Sequence, residues 1–413
     1  MHNFFKNKII LASAFSFLSL VSGLGILVLS GCDKDNTPLP KPLIPLDQGS
    51  LKNNNFKVKE VFNKTLTDGS AKKYLTLGPV LDTSSGKLIT ADYRGEVVAL
   101  DLNKNNKILW DVKTHEELGG MPGVFNQHVY LGTLDGKLLA LDESNGKIIW
   151  QQKLTSSLWA SPVGNSDVVL AYTHDGNLTA FSSLDGHQVW QYLGDPLPNL
   201  IMAGESNPVI VGASVIIGTH SGQLVSIDLT KGTVNWQRPI AIPAGGTDVS
   251  QMVDVVGNLV VDSEGDGVLY AVTYHGNVVA IDPADGSLLW ESPLSSLKAL
   301  ALAPNAIIAT NDQGDVMAFD RDTGRTLWNQ KAFEYRFVTA PAVLDLGANQ
   351  HGLDQVVVVA DYQGYVHFLD LKNGQEIARD QVSSHIIAAA PVVLNNKIYL
   401  EDEMGKVVIE KIN

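Results

Sequence analysis

Asp135-Gly136-Lys137-Leu138-Leu139-Ala140-Leu141-Asp142-Glu143-Ser144-Asn145-Gly146-Lys147-Ile148-Ile149-Trp150 is the stretch on which the reading of the chain turns. Two short apolar runs are each introduced by a turn pair, Asp135-Gly136 and Asn145-Gly146. Such pairs supply the positive backbone angles of tight hairpins, so the segment reads as two antiparallel strands.

The pattern recurs along the chain. Gly95 precedes Val97-Val98-Ala99-Leu100-Asp101, and Gly176 precedes Leu178-Thr179-Ala180-Phe181. Gly222, Gly276, Gly314, Gly364 and Gly405 each open a similar run, giving eight copies at intervals of 38 to 54 residues. Trp110, Trp150, Trp190, Trp236, Trp290 and Trp328 close the second run of six copies, and Ala378 stands there in the seventh. Upstream, further β-rich runs begin after Pro79, Pro162, Pro208, Pro341 and Pro391. Each copy therefore reads as four short strands, and four-stranded units at this period predict a single all-β, eight-bladed β-propeller. The tryptophans are read as core, one large ring filling the same gap between neighbouring blades. The eighth copy ends at Asn413 without a fourth strand, while Phe56 to Phe62 is strand-like and has no copy of its own. The N-terminal strand is thus expected to close the ring and cover an open sheet edge.

Composition agrees with one large folded body. Of 413 residues, 45% are hydrophobic and 18% charged, which excludes global disorder. A formal net charge of −14 leaves no basic surplus for phosphates and argues against nucleic acid as a partner. A single cysteine excludes an internal disulfide and a cysteine zinc site.

That cysteine, Cys32, ends an uncharged run from Ile9 to Leu29 that follows Lys6 and Lys8. This is the order of an export signal, although 21 residues could also span a bilayer as an uncleaved anchor. Leu29-Ser30-Gly31-Cys32 resembles a bacterial lipobox, which implies cleavage before Cys32 and lipid on its sulfur. The expected organisation is a signal peptide at 1–31, a lipidated cysteine and proline-rich tether at 32–55, and the propeller at 56–413. Pro38, Pro40, Pro42 and Pro45 make the tether an extended spacer. In enteric lipoproteins an aspartate after the cysteine goes with inner-membrane retention, so Asp33 leaves sorting between the two membranes open.

Chemistry is sparse in the sequence. No nucleophile elbow, metalloprotease or phosphate-loop pattern is present, and no catalytic residue, cofactor site or metal site is assigned. His174, His220 and His275 occupy the same kind of turn in consecutive copies, but turns of adjacent blades are expected to stand too far apart to share one ion. Asp262-Ser263-Glu264-Gly265-Asp266-Gly267 starts like a calcium loop, yet Thr273 falls where the closing glutamate belongs. The aspartates closing most copies, such as Asp101, Asp142 and Asp228, read as turn caps.

The copies resemble the PQQ-like tryptophan-docking repeat, over residues 74–413. Quinoprotein dehydrogenases carry that repeat with calcium ligands and a cysteine pair, neither of which is assignable here. With its lipobox, tether and eight blades, the chain resembles the BamB family, lipoprotein subunits of the outer-membrane β-barrel assembly machinery. The segment Leu200-Ile201-Met202-Ala203-Gly204-Glu205-Ser206 is similar to the family's docking loop for a POTRA domain of the barrel subunit BamA, with Ala203 in place of an arginine. Val253-Asp254-Val255-Val256 is similar to a second partner loop, in which Asp254 matches and Val256 does not. The resemblance implies a non-enzymatic scaffold on the periplasmic face of the outer membrane, lipid-anchored at Cys32. It implies BamA, other subunits of that machinery and nascent barrel proteins as partners, and Leu200, Ile201, Met202 and Asp254 as contacts. A quinone-dependent dehydrogenase and an inner-membrane propeller serving another complex are the competing readings. A loop tucked into the central funnel is the competing placement of residues 200–202.

Overall fold

The computed structural model describes residues 38–46, 56–70, 75–262, 267–347 and 353–412. The signal segment, Cys32, Asp33 and residues 263–266 lie outside them. The compact unit spans Leu39–Asn413, and its described residues form eight four-stranded antiparallel sheets. Seven are continuous in sequence, the first running from Val80–Asp82 to Lys107–Lys113. The eighth joins Val392–Leu394, Lys397–Glu401 and Lys406–Ile412 to Val58–Thr65, with Val58 opposite Ile412 and Thr65 opposite Lys406. The expected propeller and its closure by the N-terminal strand are both present. Ring closure gives the outer edge of the last blade a partner, which an open sheet would lack.

The core lies between blades. The second and third strands of each blade are buried along nearly their whole length, as in Lys137–Asp142 and Val168–Tyr172. One continuous cluster packs Tyr130, Leu138 and Ala140 of blade 2 against Val169, Phe181 and Trp190 of blade 3, and these against Val215 and Ile227 of blade 4. Burial of each valine, leucine, isoleucine or phenylalanine among these stabilises the fold by about 1.5–3 kcal/mol.

The recurring tryptophan and glycine prove to be one device. Trp110 Nε1 donates to the Glu143 carbonyl of the next blade at 2.8 Å, and Trp328 Nε1 to the Leu371 carbonyl at 2.8 Å. The ring lies flat over the next blade's turn glycine, where an added Cβ at Gly146 would sit 2.7 Å from Trp110. Blade 7, which lacks the tryptophan, reverses the usual pairing. Elsewhere a small residue faces the tryptophan, as Ala140 faces Trp150, whereas Phe368 faces Ala378 and packs edge-on against Phe56 at 5.1 Å. In blade 8, Phe62 stands opposite Ile409 and packs with Leu88, Leu100 and Ile108 of blade 1.

The closing aspartates cap their turns as expected. Asp142 accepts from the Ser144 amide and hydroxyl at 2.7 and 2.6 Å, which holds its carboxyl below the usual range. Asp262 pairs with Arg321. The proline-rich stretch, read from sequence as a spacer, is held against the propeller where it is described. Lys41 donates its amide to Glu334 O at 3.1 Å, and its carbonyl accepts from the buried Arg336 at 3.0 Å. Ile44 O accepts from Arg379.

Candidate functional site

Two long interblade connections carry the segments singled out in the sequence. One joins Gln188–Tyr192 of blade 3 to Val209–Val211 of blade 4, and the other joins Val234–Pro239 of blade 4 to Val260–Val261 of blade 5. Pro196 and Pro198 lack the amide donors a further strand needs, so the first connection leaves the sheet. It runs through Leu193, Leu197 and Leu200, all exposed. The second connection presents Ile242, 81% exposed, and Val249, also exposed. The two approach across a crevice of ≈ 120 Å³ lined by Pro198, Leu200, His220, Pro243 and Val253.

Below this rim the first loop turns inward. Ile201 and Met202 are half-buried, and Ala203, Gly204 and Glu205 line a cavity of ≈ 250 Å³. That cavity also takes Leu75, Met121, Trp159, Val256, Leu297, Ala340 and Ala389, and so touches every interblade connection. It is the mouth of the axial channel. The loop thus realises both placements considered from sequence, with Leu200 facing solvent and residues 203–205 tucked into the funnel.

Asp254 is placed otherwise than the resemblance implied. Its side chain is fully buried and presents no surface to a partner. Its Oδ1 accepts from the Met202 amide at 2.9 Å and bonds His220 Nδ1 at 2.7 Å. A carboxylate at the base of two loops satisfies an amide that no ladder reaches, so Asp254 holds Met202 and His220 in place. Asn258 does the same further on, accepting from the Asn207 amide at 2.9 Å.

The separation expected between the turn histidines does not hold for His174 and His220. Their ring centroids lie 5.8 Å apart, because adjacent hairpins both direct their side chains toward the inward-turning loop. His174 Nδ1 bonds Glu205 Oε1, and His220 Nε2 lies 3.8 Å from the same oxygen. His275 is not part of this group and stacks on Tyr274 at 3.8 Å. Burial works against a charged His220, but the pull of Asp254 and Glu205 outweighs it and raises its pKa to about 9. Glu205 was legible only as part of the docking segment; nothing in its spacing tied it to histidines 31 and 15 residues away.

The chain's similarities bear on this arrangement. Residues 81–330 match the family model described as outer membrane protein assembly factor BamB. The chain is 36% identical to the outer membrane protein assembly factor BamB of Kangiella koreensis over 380 residues, 92% of each chain. It is 38% identical to that of Legionella pneumophila over 375 residues, 90% of this chain and 91% of the other. The crystal structure of BamB from Moraxella catarrhalis superposes with a TM-score of 0.74 at 28% identity, covering 86% of this chain and 100% of that one.

Proposed function

The chain belongs to the family of the outer membrane protein assembly factor BamB, a family of assembly factors and not of enzymes, and from that premise we propose that it is a lipid-anchored periplasmic scaffold of the β-barrel assembly machinery. Cys32 carries the anchor and holds the propeller at the outer membrane. The loop rim docks a POTRA domain of BamA, and the other subunits of the machinery and nascent barrel proteins assemble around that contact.

One observation carries the reading. Leu193, Leu197, Leu200 and Ile242 stand exposed on two connections that are tied to each other by hydrogen bonds from Met202 to Asp254 and from Asn207 to Asn258. Exposed apolar side chains gathered on long interblade connections are a usual mark of a partner site. Leu200 and Met202 would supply apolar contacts, and Ala203 supplies no charge where relatives of the docking loop carry an arginine. The scaffold reading needs no catalytic group or cofactor. Nascent strands could pair with the outer blade edges, where backbone groups are free to extend a sheet.

Leu200→Glu tests this directly. Burying a leucine at an interface contributes about 1.5–3 kcal/mol, so a charge there should reduce recovery of BamA from detergent-solubilised membranes by about tenfold or more. Unchanged recovery with a folded variant would remove this loop from the interface.

A further inference from the structure

We propose that His174, Glu205 and His220 form a binding site for a zinc-class divalent transition-metal ion at the base of the docking loop. A ligand atom from each lies within 4.8 Å of the others, against about 3.3 Å between ligands on a tetrahedral zinc with bonds near 2.0–2.1 Å. The remaining closure is at most about 1.5 Å, within reach of side-chain rotation about a loop.

Three observations point to a cation rather than to a closed hydrogen-bond network. First, His220 Nε2 and Glu205 Oε2 are buried yet have no hydrogen-bond partner. An orphaned buried polar atom is costly, and both belong to side chains of the same cluster. The 3.8 Å between His220 Nε2 and Glu205 Oε1 is too long for a hydrogen bond but suits two ligands of one ion. Second, only imidazoles are set against the cluster's two carboxylates. Glu205 and Asp254 are both buried, and among the described residues neither pairs with lysine or arginine. A divalent ion would neutralise the two carboxylates.

Third, the second layer is already in place. Asp254 holds His220 Nδ1 at 2.7 Å, which leaves Nε2 as the nitrogen turned toward Glu205. A carboxylate on the far nitrogen of a metal-bound imidazole fixes its tautomer and raises its basicity. Trp159 packs beside His174, its ring centroid 6.0 Å away. Glu205 lines the axial cavity and His220 the rim crevice, so the cluster lies between two openings. Two imidazoles and a carboxylate suit zinc and its neighbours and not calcium or magnesium, which take oxygen donors. One ion would join a hairpin of blade 3, a hairpin of blade 4 and the loop between those blades.

The test uses the full chain, untagged, purified in detergent, with zinc chloride or cobalt chloride as the only added probe. The expected result is one equivalent of zinc lost in both His174→Gln and His220→Gln and retained in His275→Gln. Cobalt should give visible absorption bands of a low-symmetry nitrogen–oxygen site, displaced by zinc. Asp254→Asn should weaken zinc binding about 10–100-fold, because it removes only the orienting carboxylate. If His220→Gln fails to fold, His174→Gln decides alone, since that imidazole is a third exposed. Absence of a stoichiometric zinc, or zinc binding equal in wild type and His174→Gln, would overturn the site and leave an imidazolium held between two carboxylates.

Discussion

Replacing Gly186 by alanine would test whether the tryptophan–glycine contact is the joint between blades. Gly186 has φ +75°, and a Cβ there would lie 2.6 Å from Cδ2 and Cε3 of Trp150. Two costs are expected. An L-residue in the left-handed region costs about 1–2 kcal/mol. Forcing a methyl group into a packed contact costs about 1–3 kcal/mol, since the indole must shift and strain its bond to the Ser183 carbonyl. The sum is about 2–5 kcal/mol. Gly212 separates the terms, because it has φ +58° with nothing within 4 Å of an added Cβ. Gly212→Ala should therefore cost only about 1–2 kcal/mol. Urea unfolding followed by circular dichroism would measure both. In a Trp150→Ala background the Gly186→Ala cost should fall to that of Gly212→Ala, a coupling of about 1–3 kcal/mol. Equal costs at the two glycines, or no coupling to Trp150, would refute the packing argument.

Three further outcomes are expected. Burial pushes the Glu401 carboxyl up to about 8 from its ordinary 4.5, with Asp92 and Asp402 adding to the shift and Thr90 and Thr67 opposing it. The folded state then binds the extra proton between pH 4.5 and 8, so this group's contribution falls by about 1.4 kcal/mol per unit as pH rises through that window and levels off above it. Glu401→Gln should thus melt with wild type near pH 4.5 and well above it at pH 8; a gap independent of pH would contradict the assignment. Phe62→Ala should cost about 1.5–2.5 kcal/mol, half the usual value for a buried phenylalanine, and should speed proteolysis of the 56–65 strand, since Phe62 is half-buried at the closure seam. Arg336→Gln should raise hydrogen exchange at the Lys41 amide and destabilise the fold by about 3–5 kcal/mol, because it leaves Asp361 buried without its guanidinium; unchanged exchange would mean that the N-terminal segment is held by other contacts.

The architecture was open to reading because it repeats. Turn glycines, closing aspartates and tryptophans recur at one period, and each repeat cannot bury its own faces, so eight copies and an orphan strand lead to a closed ring by arithmetic and the hydrophobic effect alone. The compensation in blade 7 was not open in this way. Ala378 looked like a lapse, and only strand register shows that Phe368 and Phe56 fill the space. The same divide runs through the site. The sequence marked the loop at 200–206 through its resemblance, together with Asp254, His174 and His220 as single residues. Their relation depends on side-chain direction at the ends of adjacent blades, which no spacing in the chain encodes. Tertiary structure buried Asp254, read from the resemblance as a contact on a second partner loop, beneath the 200–206 loop, and turned two histidines from separate hairpins onto Glu205. Periodicity determines what packs against what when every unit is the same; a site built at the junction of unlike connections is decided only when those connections fold over one another.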